Sequence, residues 1–215
     1  NGAGKTTLVN VITGVMPRGV PRPPDEGQIF FRGTNITHLP AWKIARLGIT
    51  RTFQTVRCFE TLSVQDNIML GGWDFPENIR RSRAKCLIEC FSLEQYSTQQ
   101  MFSVPLGIRK RAEIARALMR NPLLIFLDEP FAGLTSDEVR KIMNGINEIL
   151  DTPNTTLVII EHRIQELCEY VKRLVVLDHG RVIASGSPVE CLQSELVIRA
   201  YLGSGAADVE TGQSM

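Results

Sequence analysis

The sequence predicts an α/β fold with a largely parallel sheet, and three observations support this prediction. The chain starts with a glycine-rich segment, NGAGKTTLVNVITGV at 1–15, which runs into an apolar, helix-like stretch. Two continuous apolar runs, LLIFLDE at 123–129 and TLVIIEH at 156–162, are typical of strands that are buried on both faces. Helical patterns alternate with these strands, which is the order of elements in α/β folds.

The remaining elements follow from local patterns. In the first part of the chain we expect a helix at 5–15 and a proline-rich surface loop at 17–27, followed by a strand, a turn and a short strand within 27–36. A short helix at 39–48 closed by Gly48 and a strand at 49–54 come next. Residues 63–120 are mostly helical in pattern and predict a separate lobe inserted between strands. Beyond it we expect a helix at 136–150, a helix at 163–171, a hairpin at 173–186 and a last helix at 188–203.

These elements predict one domain over residues 1–203, with a helical subdomain at about 63–120. The last segment, 204–215, is small and polar in composition, and we expect it to be disordered. The chain has 215 residues, 43% of them hydrophobic and 22% charged, with a net charge of +1. A near-neutral charge gives no support to nucleic-acid binding, which favours a basic surplus. The longest strongly apolar stretch, LLIFL, is far shorter than the roughly 20 residues of a membrane-spanning helix.

The five cysteines indicate a reducing compartment. None of them forms a C-x-x-C pair, and their odd number argues against a disulfide framework. Cys86 and Cys90 are four positions apart, so one helix face can carry both, and we expect a buried pair rather than a metal site. A cytosolic location fits this cysteine usage.

The opening segment matches the second half of a phosphate-binding loop. The pattern G-x-x-x-x-G-K-[ST] places its second glycine at Gly4, so we expect its first glycine before Asn1, and the chain to be a fragment that begins inside the loop. Backbone N–H groups of such a loop approach phosphate oxygens, and the following helix points its positive end at the anion. Lys5 would reach the terminal phosphates, and the Thr6 hydroxyl would bind magnesium. An ordinary helix start with a surface lysine is the alternative, but GAGKTT is too specific for it.

Polar residues lie at the ends of three of the predicted strands, and Gln54 ends the strand at 49–54. The strand in LLIFLDEP carries Asp128 to the carboxyl edge of the sheet, where a carboxylate can hold magnesium, and Glu129 is placed to polarise a water that attacks a γ-phosphate. An acidic turn after a strand is the alternative interpretation of that pair. His162 could hydrogen-bond the γ-phosphate and Gln54 could complete the magnesium shell, but each is a weak signal by itself. We assign no chemistry to the other two histidines, His38 and His179.

The order of these motifs resembles the ATP-binding-cassette (ABC) ATPases. The segments are GAGKTT, ITRTFQ, IRKRAEIARAL, LLIFLDEP, AGL and VIIEH, and the resemblance extends over residues 1 to about 203. Three stretches, GITRTFQTVRCFETLSVQDNIMLG, EPFAGL and VIRAYLG, are similar to the ATPase subunits of branched-chain amino acid importers. ATPases that serve urea or short amides share the pattern, and lipopolysaccharide-export ATPases share it in part.

The resemblance implies a P-loop NTPase (RecA-like) core with an inserted helical subdomain, and it implies a role for each motif residue. Nucleotide-binding residues are expected at Asn1, Gly2, Ala3, Gly4, Lys5, Thr6 and Thr7, with Thr6, Gln54 and Asp128 at the magnesium ion. Glu129 would be the catalytic base, His162 the switch histidine and Gln54 the glutamine that couples the two lobes. Gly133 and Leu134 would lie in the loop that crosses a dimer interface. The aromatic residue that stacks on adenine would precede the phosphate loop.

One segment departs from the family pattern. The signature L-S-G-G-Q is replaced by VPLGI at 104–108, so Pro105 stands where a serine hydroxyl would meet the partner's γ-phosphate. The alternative is that Pro105 only starts a helix, with Ser103 as its cap. The helix dipole and Gly107 would still approach a phosphate, so we predict that Pro105 and Gly107 form a weakened signature rather than an inactive one.

The resemblance implies a magnesium-dependent ATP hydrolase that drives a membrane importer. The expected partners are a second ABC ATPase, bound head to tail, and separate transmembrane permease subunits. The permease would place the protein at the cytoplasmic face of the membrane. We expect no nucleic-acid partner. A soluble ABC ATPase acting on nucleic acid or ribosomes is an alternative, but such proteins usually carry two cassettes or a long coiled coil. A small P-loop kinase is a third hypothesis, which VIIEH and the signature-like helix argue against.

Overall fold

The structure is a computed structural model that describes residues 2–16, 24–150 and 155–200. The described residues divide into two compact units, one within Val9–His162 and the other formed by 2–8 together with 163–200. In chain order, the helices and strands are α1 (Lys5–Thr13), β1 (Phe30–Phe31), β2 (Thr34–Asn35), α2 (Ala41–Arg46), β3 (Ile49–Arg51), α3 (Val64–Met69), α4 (Glu77–Cys90), α5 (Leu106–Leu118), β4 (Leu124–Asp128), α6 (Ser136–Leu150), β5 (Thr156–Ile160), α7 (Ile164–Cys168), β6 (Leu174–Asp178), β7 (Arg181–Gly186) and α8 (Pro188–Gln193).

A parallel sheet of three strands organises the unit Val9–His162. Its strand order is β3-β4-β5, with Ile49 opposite Leu124 and Asp128 opposite Ile160. Because the strands are parallel, their carboxyl ends share one edge of the sheet. The residues after β4 and β5, and the loop after β3, therefore lie at that edge. The unit also contains the antiparallel pair β1-β2.

Apolar side chains from helices and strands form a core around this sheet. The buried members of one cluster are Val9, Ile36, Ile44, Ile49, Phe126 and Ile160. Val9 comes from α1 and Ile44 from α2, so these two helices pack against strands of the sheet. Burial of such side chains contributes about 1.5–3 kcal/mol each to folding, which is the main term that holds the layers together.

The segment between β3 and β4 is helical, as the sequence predicted. It contains α3, α4, α5 and three short 3₁₀ turns at Leu70–Gly72, Glu94–Tyr96 and Met101–Ser103. Phe91 and Leu93 are fully buried in it. The buried Asn67 fixes the entry to α3, because its amide accepts from the Phe59 N–H at 2.9 Å and donates to the Phe59 carbonyl at 3.0 Å. The predicted division into one domain over 1–203 with a subdomain at 63–120 stays a prediction.

The second unit contains the predicted hairpin. Strands β6 and β7 pair antiparallel from Leu174 opposite Gly186 to Asp178 opposite Arg181. Helix α8 begins with a capping box, in which Ser187 and Glu190 exchange hydrogen bonds between side chain and backbone. The Gly180 N–H in the hairpin turn donates to the Ala3 carbonyl at 3.1 Å.

Most predicted elements are confirmed, and five expectations are wrong in detail. Strand β5 is not buried on both faces, because only Ile160 in it is buried and Thr156 is exposed. Strand β3 ends at Arg51, so Gln54 follows the strand instead of ending it. The last helix is interrupted at Ser194, with α8 before it and a helical segment at 195–200 after it. Cys86 is exposed and Cys90 half-buried, with Sγ atoms 4.0 Å apart, because this face of α4 points outward. Ser103 does not cap α5, since its hydroxyl donates to the Gln100 carbonyl.

Some expectations fall on residues outside the described ranges. These are the place of Asn1, most of the proline-rich loop and the tail at 204–215. Within the described ranges, no helix is long and apolar enough to span a membrane. The same part of the chain holds no group of three or more His, Cys, Asp or Glu residues arranged to bind a metal.

Candidate nucleotide-hydrolysis site

The glycine-rich segment has the backbone of an anion-binding turn. Gly2 and Gly4 have φ angles of 80° and 89°, in the left-handed region that favours glycine. Helix α1 starts at Lys5, directly after this turn, and the Leu8 N–H closes its first turn on the Gly4 carbonyl at 2.9 Å. The first N–H groups of a helix have no partner within it, and the helix dipole makes that end positive. This segment therefore suits a phosphate group, with Lys5, Thr6 and Thr7 in its first turn.

Glu129 follows β4 at the carboxyl edge of the parallel sheet. Its φ is 49°, which is uncommon for a residue with a side chain, and its N–H donates to the Ile160 carbonyl of β5 at 2.9 Å. The carboxylate is 16% exposed and has a partner on each oxygen. The Gln54 amide donates to Oε2 at 3.0 Å, and His162 Nε2 lies 2.6 Å from Oε1. Three residues predicted from separate strands thus meet at one carboxylate.

The contact between His162 and Glu129 indicates which imidazole nitrogen carries a proton when the carboxylate is ionised. An ionised carboxylate only accepts hydrogen bonds, so an imidazole bonded to it through Nε2 carries its proton on that nitrogen. The His162 ring is 42% exposed, more than the carboxylate that it contacts. Solvent therefore reaches this contact from the side of His162, and a carboxylate beside water has the chemistry that general-base catalysis uses.

Asp128, the last residue of β4, is buried and paired with Arg51. Arg51 Nη2 lies 3.1 Å from Oδ2, and the two side chains are 6% and 2% exposed. Burial raises the pKa of the Asp128 carboxyl, and the charge of Arg51 opposes that rise. Oδ1 is buried and has no hydrogen-bond partner among the described residues. A carboxylate oxygen is a ligand that magnesium prefers, so this atom fits a metal ion or a water bound to one.

Arg51 itself is held from several sides. Nη1 donates to the Asn10 side chain of α1 at 2.5 Å, and the guanidinium lies 4.7 Å from the centre of the Phe53 ring. Burial lowers the pKa of Arg51, with the Asp128 carboxylate acting in the opposite direction. Arg51, which belongs to β3, therefore links this strand to α1 through Asn10 and to β4 through Asp128.

Sequence reasoning missed three charged residues of this region, namely Arg51, Lys110 and Glu161. Each had a signal in the pattern. Arg51 lies within the strand predicted at 49–54, Glu161 directly follows an apolar run, and Lys110 lies in the signature-like segment IRKRAEIARAL. Their partners are distant in sequence, so the pattern alone does not show what each of them binds.

The start of α5 holds the two signature residues. Pro105 occupies the N-cap position, and its carbonyl accepts from the N–H groups of Ile108 and Arg109 at 3.0 and 3.1 Å. Its side chain makes no capping bond. The carboxyl end of Glu138 lies close to Gly107, so a side chain at that position would have to displace the Glu138 carboxylate.

The model of a known family matches this chain. Residues 1–132, more than half of the chain, match the ABC transporter family. The chain belongs to this family. It is 33% identical to LivG, the high-affinity branched-chain amino acid transport ATP-binding protein of Escherichia coli K12, over 94% of this chain and 84% of LivG. It is 38% identical to LptB, the lipopolysaccharide export system ATP-binding protein of the same organism, over 94% of this chain and 83% of LptB.

Solved ABC structures confirm the fold. The ADP conformation of MJ1267, an ATP-binding cassette of an ABC transporter, superposes with a TM-score of 0.81 at 30% identity, over 94% of this chain and 85% of MJ1267. CbiO1 from Clostridium perfringens, part of the ABC transporter complex CbiONQ, superposes with a TM-score of 0.77 at 29% identity, over 93% and 78% of the two chains. The predicted P-loop NTPase fold is confirmed. The protein is an ATP-hydrolysing subunit of the ABC transporter type.

Proposed function

We propose that this ABC ATPase hydrolyses ATP with Glu129 as the general base and thereby drives a separate transmembrane permease. The observation that carries the proposal is the Glu129 carboxylate between Gln54 at 3.0 Å and His162 at 2.6 Å. The carboxylate lies at the carboxyl edge of the parallel sheet, where open α/β sheets bind ligands. A base in that position takes a proton from water as the water attacks the γ-phosphate.

The two partners of Glu129 have distinct proposed roles. His162 would move to the γ-phosphate of bound ATP and act as the switch, which leaves Oε1 free for the attacking water. Gln54 lies in the loop after β3, and the helical insert begins soon after that loop. If Gln54 moved from Glu129 to the nucleotide, its loop would move with it. ATP binding at the site would therefore change the position of the helical insert.

We propose that the glycine-rich segment and the first turn of α1 bind the phosphates of the same nucleotide. The residues are Asn1, Gly2, Ala3, Gly4, Lys5, Thr6 and Thr7, and Asn1 lies outside the described residues. Thr6, Gln54 and Asp128 would hold magnesium, and Oδ1 of Asp128 supports this assignment because it is buried without a partner in the described chain. Bound magnesium would neutralise charge on the β- and γ-phosphates. Arg51 would keep the Asp128 carboxylate ionised and fixed in place.

A second cassette is the proposed catalytic partner. In a head-to-tail dimer, α5 of this chain would present Pro105 and Gly107 to the nucleotide of the other subunit. Pro105 has neither a hydroxyl nor an N–H, so only the helix dipole and the glycine backbone would act there. We therefore infer that the site completed by this α5 hydrolyses ATP more slowly than the site that uses Glu129 of this chain.

Branched-chain amino acids, or a related small solute, are the proposed cargo. LivG supports this proposal through its 33% identity over 94% of the chain, as do the three stretches that are similar to importer subunits. The second candidate is lipopolysaccharide export, which the 38% identity to LptB favours. Urea and short amides are further solutes of similar importers. The permease would hold the protein at the cytoplasmic face of the membrane.

The experiment is purification of the full-length protein with its membrane partner, followed by reconstitution into vesicles. We expect magnesium-dependent ATP hydrolysis that is coupled to uptake of labelled leucine or of a solute of similar size. ATP hydrolysis stimulated by lipopolysaccharide, with no uptake of amino acids, would select the export function. Failure to purify with any membrane protein would contradict the transport proposal.

A further inference from the structure

A buried lysine of α5 holds the loop that carries Glu129. Lys110 is 6% exposed, and its ammonium group donates to the carbonyls of Glu129 at 3.0 Å, Pro130 at 3.1 Å and Ala132 at 2.7 Å. An ammonium group has three N–H donors, and each of these contacts uses one carbonyl acceptor. A buried ammonium is costly unless it is fully hydrogen-bonded, so this set of three partners matches the need of the group.

The same loop is fixed from its other side by a carboxylate. Glu161, which follows β5, accepts from the Phe131 N–H through Oε1 at 2.6 Å and from the His162 N–H through Oε2 at 3.2 Å. Burial raises the pKa of Glu161, and the charge of Lys110 opposes the rise. The loop after β4 is thus held by a cation on its carbonyls and by an anion on an N–H group. These contacts maintain the left-handed backbone of Glu129, whose φ is 49°.

Helix α5 also holds the loop that carries Gln54. The Arg57 N–H donates to the buried Glu113 carboxylate at 3.1 Å, and Arg116 donates to the Arg57 carbonyl. Lys110, Glu113 and Arg116 lie at three-residue spacing, which places them on one side of the helix. One helix face therefore positions the loops of both Gln54 and Glu129, whose side chains meet at 3.0 Å.

We propose that Lys110 is a positioning residue for hydrolysis, which acts by fixing the backbone of Glu129 from the helix that bears Pro105 and Gly107. This inference rests on the proposed role of Glu129 as the base. Lys110 touches neither the nucleotide nor the attacking water in this proposal. Its loss would displace the carboxylate and leave ATP binding nearly intact. A displacement of about 1 Å at a reacting group lowers a rate on the order of a hundredfold.

The test is steady-state ATP hydrolysis by Lys110→Met, Lys110→Gln and Lys110→Arg in the full-length protein. Methionine has a similar length without a donor, glutamine keeps a shorter donor group, and arginine keeps several donors at full length. We expect kcat to fall on the order of a hundredfold in Lys110→Met with KM for ATP changed less than about threefold, and Lys110→Arg to recover most of the rate. Lys85→Met is the matched control, because Lys85 is on the exposed face of α4 with its side chain 79% exposed.

Glu129→Gln, measured in parallel, separates the two proposals. Near-wild-type turnover in Glu129→Gln would overturn the role of Glu129 itself. Loss of turnover in Glu129→Gln together with a normal kcat in Lys110→Met would overturn only the role of Lys110, as would a change in KM alone. If circular dichroism shows that Lys110→Met is unfolded, the other two variants decide. A higher kcat for arginine than for glutamine at equal KM supports the proposal, and equal rates contradict it.

Discussion

The ends of two neighbouring strands, β4 and β5, look alike in sequence but differ in what they do. Each strand is apolar and is followed by a glutamate, Glu129 in one case and Glu161 in the other. Glu129 directs its carboxylate to two side chains of the site, Gln54 and His162. Glu161 directs its carboxylate to the N–H groups of Phe131 and His162.

The backbone explains the difference between the two glutamates. Glu129 has a φ of 49°, which turns the chain sharply as it leaves β4. Glu161 is not among the described residues with a positive φ. Two acidic residues at the same sheet edge thus have different partners, side chains for Glu129 and main-chain N–H groups for Glu161. This difference makes Glu129 the better catalytic candidate of the two.

The largest expected effect is the difference between two variants: Glu129→Gln should lose ATP hydrolysis, and Glu161→Gln should keep it. The first change removes the proposed base, so turnover should fall about 10²–10⁴-fold while ATP binding is kept. The second change leaves an amide oxygen that still accepts from the Phe131 N–H, so most turnover should remain. Phosphate release gives the rates, and equilibrium binding of ATP gives the affinity. Equal losses in the two variants would mean that the two strand ends have equivalent roles.

The next effect concerns His162, whose side chain contacts the Glu129 carboxylate but not that of Glu161. His162→Ala should lower kcat about tenfold to a hundredfold, because a hydrogen bond to a charged group is worth about 1.5–3 kcal/mol. His179→Ala is a matched control, since His179 lies in the exposed hairpin turn with its side chain 93% exposed. Comparable rates for the His162 variant and the control would remove His162 from the mechanism.

The third effect concerns the start of α5, which is proposed to face the nucleotide of the partner subunit. Changing Pro105 to Ser adds a hydroxyl that the family's signature has at this position, so we expect hydrolysis at the site completed by this chain to rise up to about tenfold. The measurement is single-turnover hydrolysis in a dimer in which Glu129→Gln inactivates the other site, so that only the site completed by α5 of this chain turns over. Leu106→Ser is a suitable control, because it places a hydroxyl one residue further along. No gain with Pro105→Ser would indicate that Gly107 and the helix dipole already suffice.

The smallest effect is a difference in the pH dependence of stability. Burial raises the pKa of Glu161, so its contribution to folding is fully present below the unfolded pKa and is lost as pH rises through the folded value. Glu138, in the first turn of α6, is the opposite case, because hydrogen bonds from Thr135 lower its pKa and its contribution is lost as pH falls. From about pH 4 to pH 7, Glu161→Gln should therefore gain stability relative to the wild type, and Glu138→Gln should lose it. Urea unfolding at both pH values checks the two signs, and slopes of equal sign would contradict the argument.

The sequence predicted the parts of this site that depend on local pattern. Apolar runs located β4 and β5, and the motif residues Gln54, Glu129 and His162 proved to meet at the sheet edge. Helix α6 was predicted with its observed bounds, since its apolar spacing is regular and Thr135 precedes it.

The missed features depend on contacts between distant segments. Lys110 is 19 residues from Glu129 in sequence, and its burial arises only when α5 packs beside the loop after β4. Lysine is rarely buried, so the residue type alone does not predict this position. The exposure of Cys86 was missed for the same reason, because a cysteine is usually buried and only the packing of α4 decides which face it occupies.

One of the two cysteines of α4, Cys86, makes the helical insert accessible to thiol reagents. Thiolates are the species that react with maleimides and alkylating agents, and burial raises the pKa of Cys90 to about 12 and that of Cys58 to about 11. Cys191 is buried, burial raises the pKa of the half-buried Cys168, and Cys86 is exposed. A fluorophore or spin label can therefore be attached at Cys86 in the native sequence. Its signal would report how the insert moves during each round of ATP hydrolysis, without any engineered residue.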